Sequence, residues 1–173
     1  MDNEALKVLR ERRSIRKYRP EQISDEQLQA VLEAGTYAPT ARSLQSPIII
    51  AVQNAEERKK LTELNALFTP QADPYYGAPT ILLVLYQAGC PTGVMDASAV
   101  TTNLLNAAHA VGLGACWINR CQYMFETYEG KELLKKWGIE GNWKGACSVA
   151  LGIPDGEIPA AKPRKENYCT IIR

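Results

Sequence analysis

A chain of 173 residues has the length of one domain, and a fold of that size buries roughly 70% of its unfolded surface, enough for a core without disulfide or metal staples. Hydrophobic residues make up 46% and charged residues 23%, an ordinary globular composition that excludes wholesale disorder. Twenty basic against nineteen acidic residues leave a formal charge of +1, so no global field favours nucleic acid or a membrane surface, and any anion site must be local.

The apolar positions Ala5, Leu6, Val8 and Leu9 predict a short first helix. It runs into the basic stretch Arg10, Arg12, Arg13, Ser14, Arg16 and Lys17, after which Pro20 forces an extended connection. Ser24 and Gln27 have capping-box spacing, and Leu28, Val31, Leu32 and Gly35 supply the buried face of the helix that should follow, ending near Pro39. Residues 47–52 form a short β-branched run and predict a buried strand. A charged amphipathic helix is expected over 56–67, with Leu61, Leu64 and Leu67 inward, then a proline-bearing loop over 69–79. The run 79–86 is apolar at successive positions and predicts a strand covered on both faces.

Over 96–111, Ala97, Val100, Thr101, Leu104, Leu105, Ala108 and Val111 recur at helical spacing and give the clearest helix of the chain. Gly112 and Gly114 follow it, then a third buried strand over 115–118, a helix over 125–137 and a fourth strand over 144–153. Helices alternating with short buried strands imply one α+β or α/β domain with a covered sheet. Residues 158–173 carry Tyr168, Ile171 and Ile172 without helical periodicity, so this tail is either frayed or docked, for instance on a partner subunit.

The five cysteines, Cys90, Cys116, Cys121, Cys147 and Cys169, are odd in number and lack CxxC spacing, which argues against a disulfide framework or a structural zinc site. Met1 to Glu4 open an acidic stretch unlike a secretory leader, and the apolar run 79–86 is far shorter than the ~20 residues that span a bilayer. A reduced, cytoplasmic setting is the expectation. The basic stretch offers guanidinium forks and a hydroxyl suited to a phosphate dianion; its bland reading is a solvated helix end. Gly112 and Gly114 do not form a dinucleotide loop, because they end a helix and Trp117 stands where a third glycine belongs; they read as a helix C-cap. His109, the only histidine, lies within the apolar helix and reads as a packing or surface residue, which leaves hydrolase chemistry weakly motivated. Cys147 and Cys116 read as inert buried thiols, and Trp117, Trp137 and Trp143 as core residues.

The sequence from Arg12 to Tyr18 resembles the N-terminal motif of the nitroreductase family of FMN-dependent oxidoreductases. The likeness continues through Ala38, Pro39, Thr40, Ser43 and Gln45, then Tyr76 to Pro79, Asp96, Ser98 and Asn103, then Gly112, Gly114 and Trp117, and ends at Gly152, Pro154, Lys162, Pro163, Arg164 and Lys165. It covers essentially the whole chain. The resemblance implies an α+β fold with a central, mostly antiparallel sheet covered by helices, and a homodimer with a domain-swapped tail. It implies that Arg12, Ser14 and Arg16, with Arg164 or Lys165, hold the FMN phosphate and ribityl chain, Arg13 belonging to the same motif. Thr40, Ser43 and Gln45 fall where the family contacts flavin from the neighbouring subunit, Asn65 where an asparagine bonds the pyrimidine edge, and the backbone of Ile118, Asn119 and Arg120 near flavin N5 and O4. Ser43 replaces a usual asparagine, and Ser46 with Pro47 replaces a proline followed by an aromatic, departures expected to alter the acceptor side. The chemistry implied is transfer from NADH or NADPH through FMN to a small acceptor such as a nitroaromatic or quinone, with no catalytic side chain and no metal required. The competing readings are a reductive dehalogenase of the same superfamily and a flavin-storage protein; nucleic-acid binding has little support at this charge.

Overall fold

The computed structural model describes residues 2–173; Met1, part of the acidic start read above, lies outside the described residues. The elements are α1 Glu4–Glu11, α2 Asp25–Thr36, β1 Pro47–Val52, α3 Ala55–Ala66, β2 Thr80–Gln87, α4 Gly93–Ala110, β3 Gly114–Ile118, α5 Cys121–Met124, α6 Tyr128–Lys136 and β4 Trp143–Gly152. A 3-10 turn, Ala41–Ser43, precedes β1. The strands form one sheet in the order β1-β2-β4-β3, and every neighbouring pair is antiparallel. The fold is therefore α+β rather than α/β.

β2 organises the molecule because a strand apolar at successive positions needs both faces covered. Leu82 and Val84 point to one side, where Val31, Ala97, Leu104 and Ala108 of α2 and α4 pack; Ile81, Leu83 and Leu85 point to the other, beneath α3, α5 and α6. The Ser24 capping box starts α2 as its spacing predicts. α4 ends in a Schellman arrangement: Gly112 takes φ 80°, and the Leu113 N–H donates to Ala108 O at 2.8 Å, so the glycine pair is a helix stop.

Four expectations need correction, the first being that Leu67, read as inward, is 71% exposed because it caps the end of α3 past its last helical residue. The strand at 47–52 is half-exposed, because strand order leaves β1 at the sheet edge. The helix expected over 125–137 is α6, Tyr128–Lys136, and a separate short helix, α5 Cys121–Met124, precedes it; the Thr127 hydroxyl donates to Met124 O at 2.6 Å and accepts from Gly130 N at 3.0 Å, closing α5 and capping α6. Trp117 is 38% exposed on the β3 edge rather than in the core. Trp137 does pack inward, its indole N–H donating to Glu57 Oε2 at 3.2 Å.

The two chain ends meet on the β3–β4 side. Ser14 bridges Ala115 in parallel, Ile15 N donates to Ala115 O at 3.1 Å, and Tyr18 bridges Pro154. The Arg19 N–H donates to Ile153 O at 2.9 Å, and Lys17 pairs with Asp155 at 2.7 Å. Gly114 permits this contact, since a Cβ there would lie 2.9 Å from Ile15 Cβ. Residues 156–173 then run on without helix or strand, exposed throughout.

Candidate anion and cofactor site

The docked arm puts the end of α1 beside the start of the tail. Arg12, Arg13, Ser14 and Arg16 line a cleft of 710 Å³ together with Leu9, Arg10, Pro159, Ala160, Ala161, Lys162 and Arg164. Cations from residues 10–16 and 162–164 thus share one depression although they lie at opposite ends of the sequence. Arg13 is folded back on the helix, its Nη1 donating to Arg10 O at 2.7 Å and Arg12 O at 2.8 Å, while its buried Nε has no partner. Arg164 bends over its own backbone, Nη2 donating to Lys162 O at 2.7 Å. Lys165 does not line the cleft; its ammonium stands 5.1 Å from the Tyr168 ring centroid. Lys162 does line it, a cation in the C-terminal motif to which sequence reasoning gave no role. The Tyr18 hydroxyl holds the arm from below, donating to Ile15 O at 2.6 Å, and burial pushes that phenol's pKa far up, keeping it a neutral donor.

Beneath the arginines a cavity of 110 Å³ is lined by Arg12, Arg13, Leu105, His109 and Ile158, so His109 sits half-buried under the cationic cleft. Burial pushes the thiols of Cys116, Cys121 and Cys147 up, and a thiol that resists ionisation is a poor nucleophile. Cys90 differs: hydrogen bonds involving Ser46 and Thr92 hold its pKa below the usual thiol value. Among the described residues no group of three or more His, Cys, Asp and Glu side chains could hold a metal ion, and no helix is long and apolar enough to cross a membrane.

The remaining candidates lie elsewhere. Thr40 and Gln45 line a 390 Å³ cleft against α2 and β1. Thr40 Oγ1 accepts from Gln45 N at 3.1 Å, and Arg42, Ser43 and Gln45 all take positive φ. Non-glycine residues adopt this left-handed region only where the surroundings impose it. Asp96 supplies one such constraint: buried in the first turn of α4, it accepts from Ala41 N at 3.1 Å and from the Thr92 hydroxyl at 3.0 Å. Sequence reasoning placed Asp96 in the matching motif without a role, though an acid in a helix's first turn is a detectable signal. Asn65 is buried, with its amide nitrogen donating to Asn119 O at 3.0 Å. Ile118 closes β3, and Arg120 is the left-handed residue before α5.

Chemically, the cleft of Arg12, Ser14, Arg16 and Arg164 presents guanidinium forks and a hydroxyl, the kinds of donor that match phosphate oxygens. Comparison with known proteins bears on the rest. A protein of Archaeoglobus fulgidus with the provisional name NADH dehydrogenase/NAD(P)H nitroreductase is 34% identical over 157 residues, spanning 89% of this chain and 87% of its own. The NADPH-flavin oxidoreductase of Vibrio harveyi is 27% identical over 94% of this chain and 70% of its own. A crystal structure of a nitroreductase with bound FMN from Bacteroides fragilis superposes with a TM-score of 0.92 at 29% identity, over 99% of this chain and all of the other. One from Desulfitobacterium hafniense, also with bound FMN, gives 0.89 at 25% identity over 99% of this chain and 100% of that one. The family model described as the nitroreductase family matches residues 9–79 and 69–153; the chain belongs to the nitroreductase family.

Proposed function

We propose that this chain is an FMN-dependent NAD(P)H oxidoreductase that passes electrons to a small acceptor such as a nitroaromatic or quinone. The observation that carries the reading is the convergence of Arg12, Arg13, Ser14, Arg16 and Arg164 on one cleft in a member of this family. FMN fits these residues: its phosphate monoester is a dianion, the cleft supplies several cations and a hydroxyl, and the buried Arg13 Nε is a donor still to be satisfied. When bound, FMN supplies a two-electron carrier that accepts hydride from a reduced nicotinamide and gives the electrons up to the acceptor.

The chain's own part is to bind and orient. Arg12, Ser14, Arg16 and Arg164 hold the phosphate, and Arg13 stiffens the end of α1 by bonding its last carbonyls. The amides of the turn at Ile118, Asn119 and Arg120 offer donors to the ring's polar edge. No side-chain nucleophile is needed, in keeping with the thiols of Cys116, Cys121 and Cys147, whose ionisation burial opposes, and a histidine placed under the phosphate cleft. Thr40, Ser43 and Gln45 serve the acceptor side across a two-fold interface.

The whole chain acts as one domain whose tail, residues 158–173, docks on a second copy in an obligate homodimer. Supporting this, α1 buries no residue, leaving Leu6 and Leu9 exposed, and Val94, Met95, Ile171 and Ile172 add further apolar surface. That is more than a soluble monomer usually leaves open. The expected interface is in the obligate range of ~2,000–5,000 Å². Five free thiols suit a reducing, cytoplasmic setting.

The decisive experiment is the visible spectrum of purified protein, with flavin identified after denaturation and bleaching followed anaerobically on adding NADH or NADPH. Bound FMN that bleaches rapidly, and parallel double-reciprocal lines in steady state, are the expected results. Bound FMN that does not bleach would leave a storage protein, and a protein without affinity for FMN would end the reading.

A further inference from the structure

The turn that leaves β3 is held from beneath by three buried side chains with no part in the cationic cleft. Ser148 Oγ donates to Ile118 O at 3.2 Å, and the Tyr75 hydroxyl donates to Ser148 Oγ at 3.2 Å. Asn65 Nδ2 donates to Asn119 O at 3.0 Å. Tyr75 and Asn65 are 1% exposed and Ser148 is 0% exposed, so these are interior bonds that water does not contest. The group carries one unmet acceptor, Asn65 Oδ1, which is buried with no partner. Reversing the amide would set Oδ1 against the Asn119 carbonyl, acceptor to acceptor, so the Asn119 bond fixes its orientation.

Peptide planarity turns these anchors into a geometric statement. In a trans peptide the carbonyl and the following N–H point to opposite sides. With the carbonyls of Ile118 and Asn119 both drawn into the core, the N–H groups of Asn119 and Arg120 are directed away from it. Arg120 completes the turn at φ 74°, a conformation that a non-glycine residue holds only when neighbours over-determine it. The Arg120 N–H is capped by Asn119 Oδ1 at 2.8 Å, on an exposed side chain that a better acceptor can displace.

We infer that Asn65, Tyr75 and Ser148 are positioning residues that hold the Asn119 and Arg120 amides as a preorganised donor pair, tuned to the more negative, reduced state of the bound ring system. The inference rests on the FMN reading above and assigns Asn65 an indirect role in place of the direct bond to the pyrimidine edge implied by family resemblance. Donors fixed in advance favour the state carrying more charge, because they need no reorganisation when that charge arrives.

The test uses the FMN-loaded protein and its Ser148→Ala and Tyr75→Phe variants, each checked for folding by thermal melting. Affinity for oxidised FMN is read by fluorescence quenching and the two-electron midpoint potential by spectroelectrochemistry. In Ser148→Ala, affinity for oxidised FMN should stay within about threefold, while reduced FMN binds about tenfold less tightly, lowering the potential by about 30 mV. Tyr75→Phe should shift it in the same direction by less. Asn65→Leu supplies the contrast: as a positioning residue it lowers the potential, whereas equal weakening of both redox states would make it a direct ligand and overturn its role here. Unchanged potentials in folded Ser148→Ala and Tyr75→Phe would overturn the whole inference while leaving an FMN-binding, NAD(P)H-bleached wild type intact. A wild type that does not bind FMN would sink both.

Discussion

β2 and the C-terminal tail are both rich in branched apolar residues, and the chain treats them in opposite ways. Ile81, Leu82, Leu83, Val84 and Leu85 are at most 1% exposed, covered by helices on both faces of the sheet, whereas Tyr168, Ile171 and Ile172 are 68%, 75% and 88% exposed. The helices divide similarly: α4 buries eight of its residues and α1 none. One region completes its hydrophobic burial within a single chain, and the other leaves its apolar side chains open, which is where the proposed second copy would dock. The cationic cleft lies where the uncovered ends meet, so holding the cofactor and holding a second copy should be thermodynamically linked.

The largest expected effect comes from removing residues 158–173. The deletion takes away Lys162, Arg164 and the exposed apolar positions while touching nothing in either core cluster. Sedimentation should show conversion from dimer to monomer at micromolar concentration, FMN affinity should fall at least about tenfold, or 1.4 kcal/mol, and circular dichroism should remain native. A truncated protein that stays dimeric and loaded with FMN would erase the distinction between the two regions. Next in size is Leu82→Ala, in the self-sufficient region, which should destabilise the fold by about 2–5 kcal/mol in denaturant melts because the sheet interior cannot collapse around the void. Arg16→Ala, in the cleft, should instead leave the melt of the FMN-free protein nearly unchanged and lower FMN affinity by about 1.5–3 kcal/mol, measured by fluorescence quenching.

The same division explains what the sequence disclosed. β2, α4 and the α2 capping box are local signals, an apolar run, a helical repeat and a side chain facing its own backbone, and all three can be read before any tertiary contact is known. The edge position of β1 is invisible in its residues, because Ile48, Ile49 and Ile50 fit a central strand equally well and only strand order decides. The start of α6 after Thr127 was readable in principle from its capping chemistry, but the helical pattern running from Phe125 masked it. In the site, the basic patch was legible as a possible anion receptor, yet its meeting with Arg164 depends on Ser14 pairing with Ala115 and Tyr18 with Pro154, contacts across more than 100 residues. Asn65 was singled out by resemblance, whereas Tyr75 and Ser148 carry no spacing signal at all, since a buried tyrosine and a strand serine are ordinary core residues until their partners are known.

The smallest effect belongs to a polar contact within the self-sufficient region. Glu57, in the first turn of α3, has a side chain only 12% exposed and gathers Lys136 at 2.5 Å and Lys60 at 3.3 Å, while Trp137 donates to its other oxygen. The hydrogen bond from Lys136, opposed by desolvation and helped by Lys60, holds its carboxyl below the usual glutamate value. A depressed folded pKa contributes stability that is present above the unfolded value and lost as pH falls through the folded one. Glu57→Gln should therefore cost about 1 kcal/mol near neutrality, a modest figure because the lysines are largely solvated. The gap from wild type should narrow on acidification below about pH 4, where the carboxyl of the unfolded chain takes up its proton first, and close as pH falls through the lower folded value. Lys136 is shifted upward by the same contact, so its share is present below the ordinary lysine value and fades only as pH rises through the raised one; the gap should stay flat between about pH 6 and 9. Because the contact joins α3 to α6 inside one chain, the full protein and the 158–173 deletion should show the same gap in denaturant melts. A gap that persisted undiminished at about pH 3 would assign the contribution to the packing of Trp137 instead of to charge.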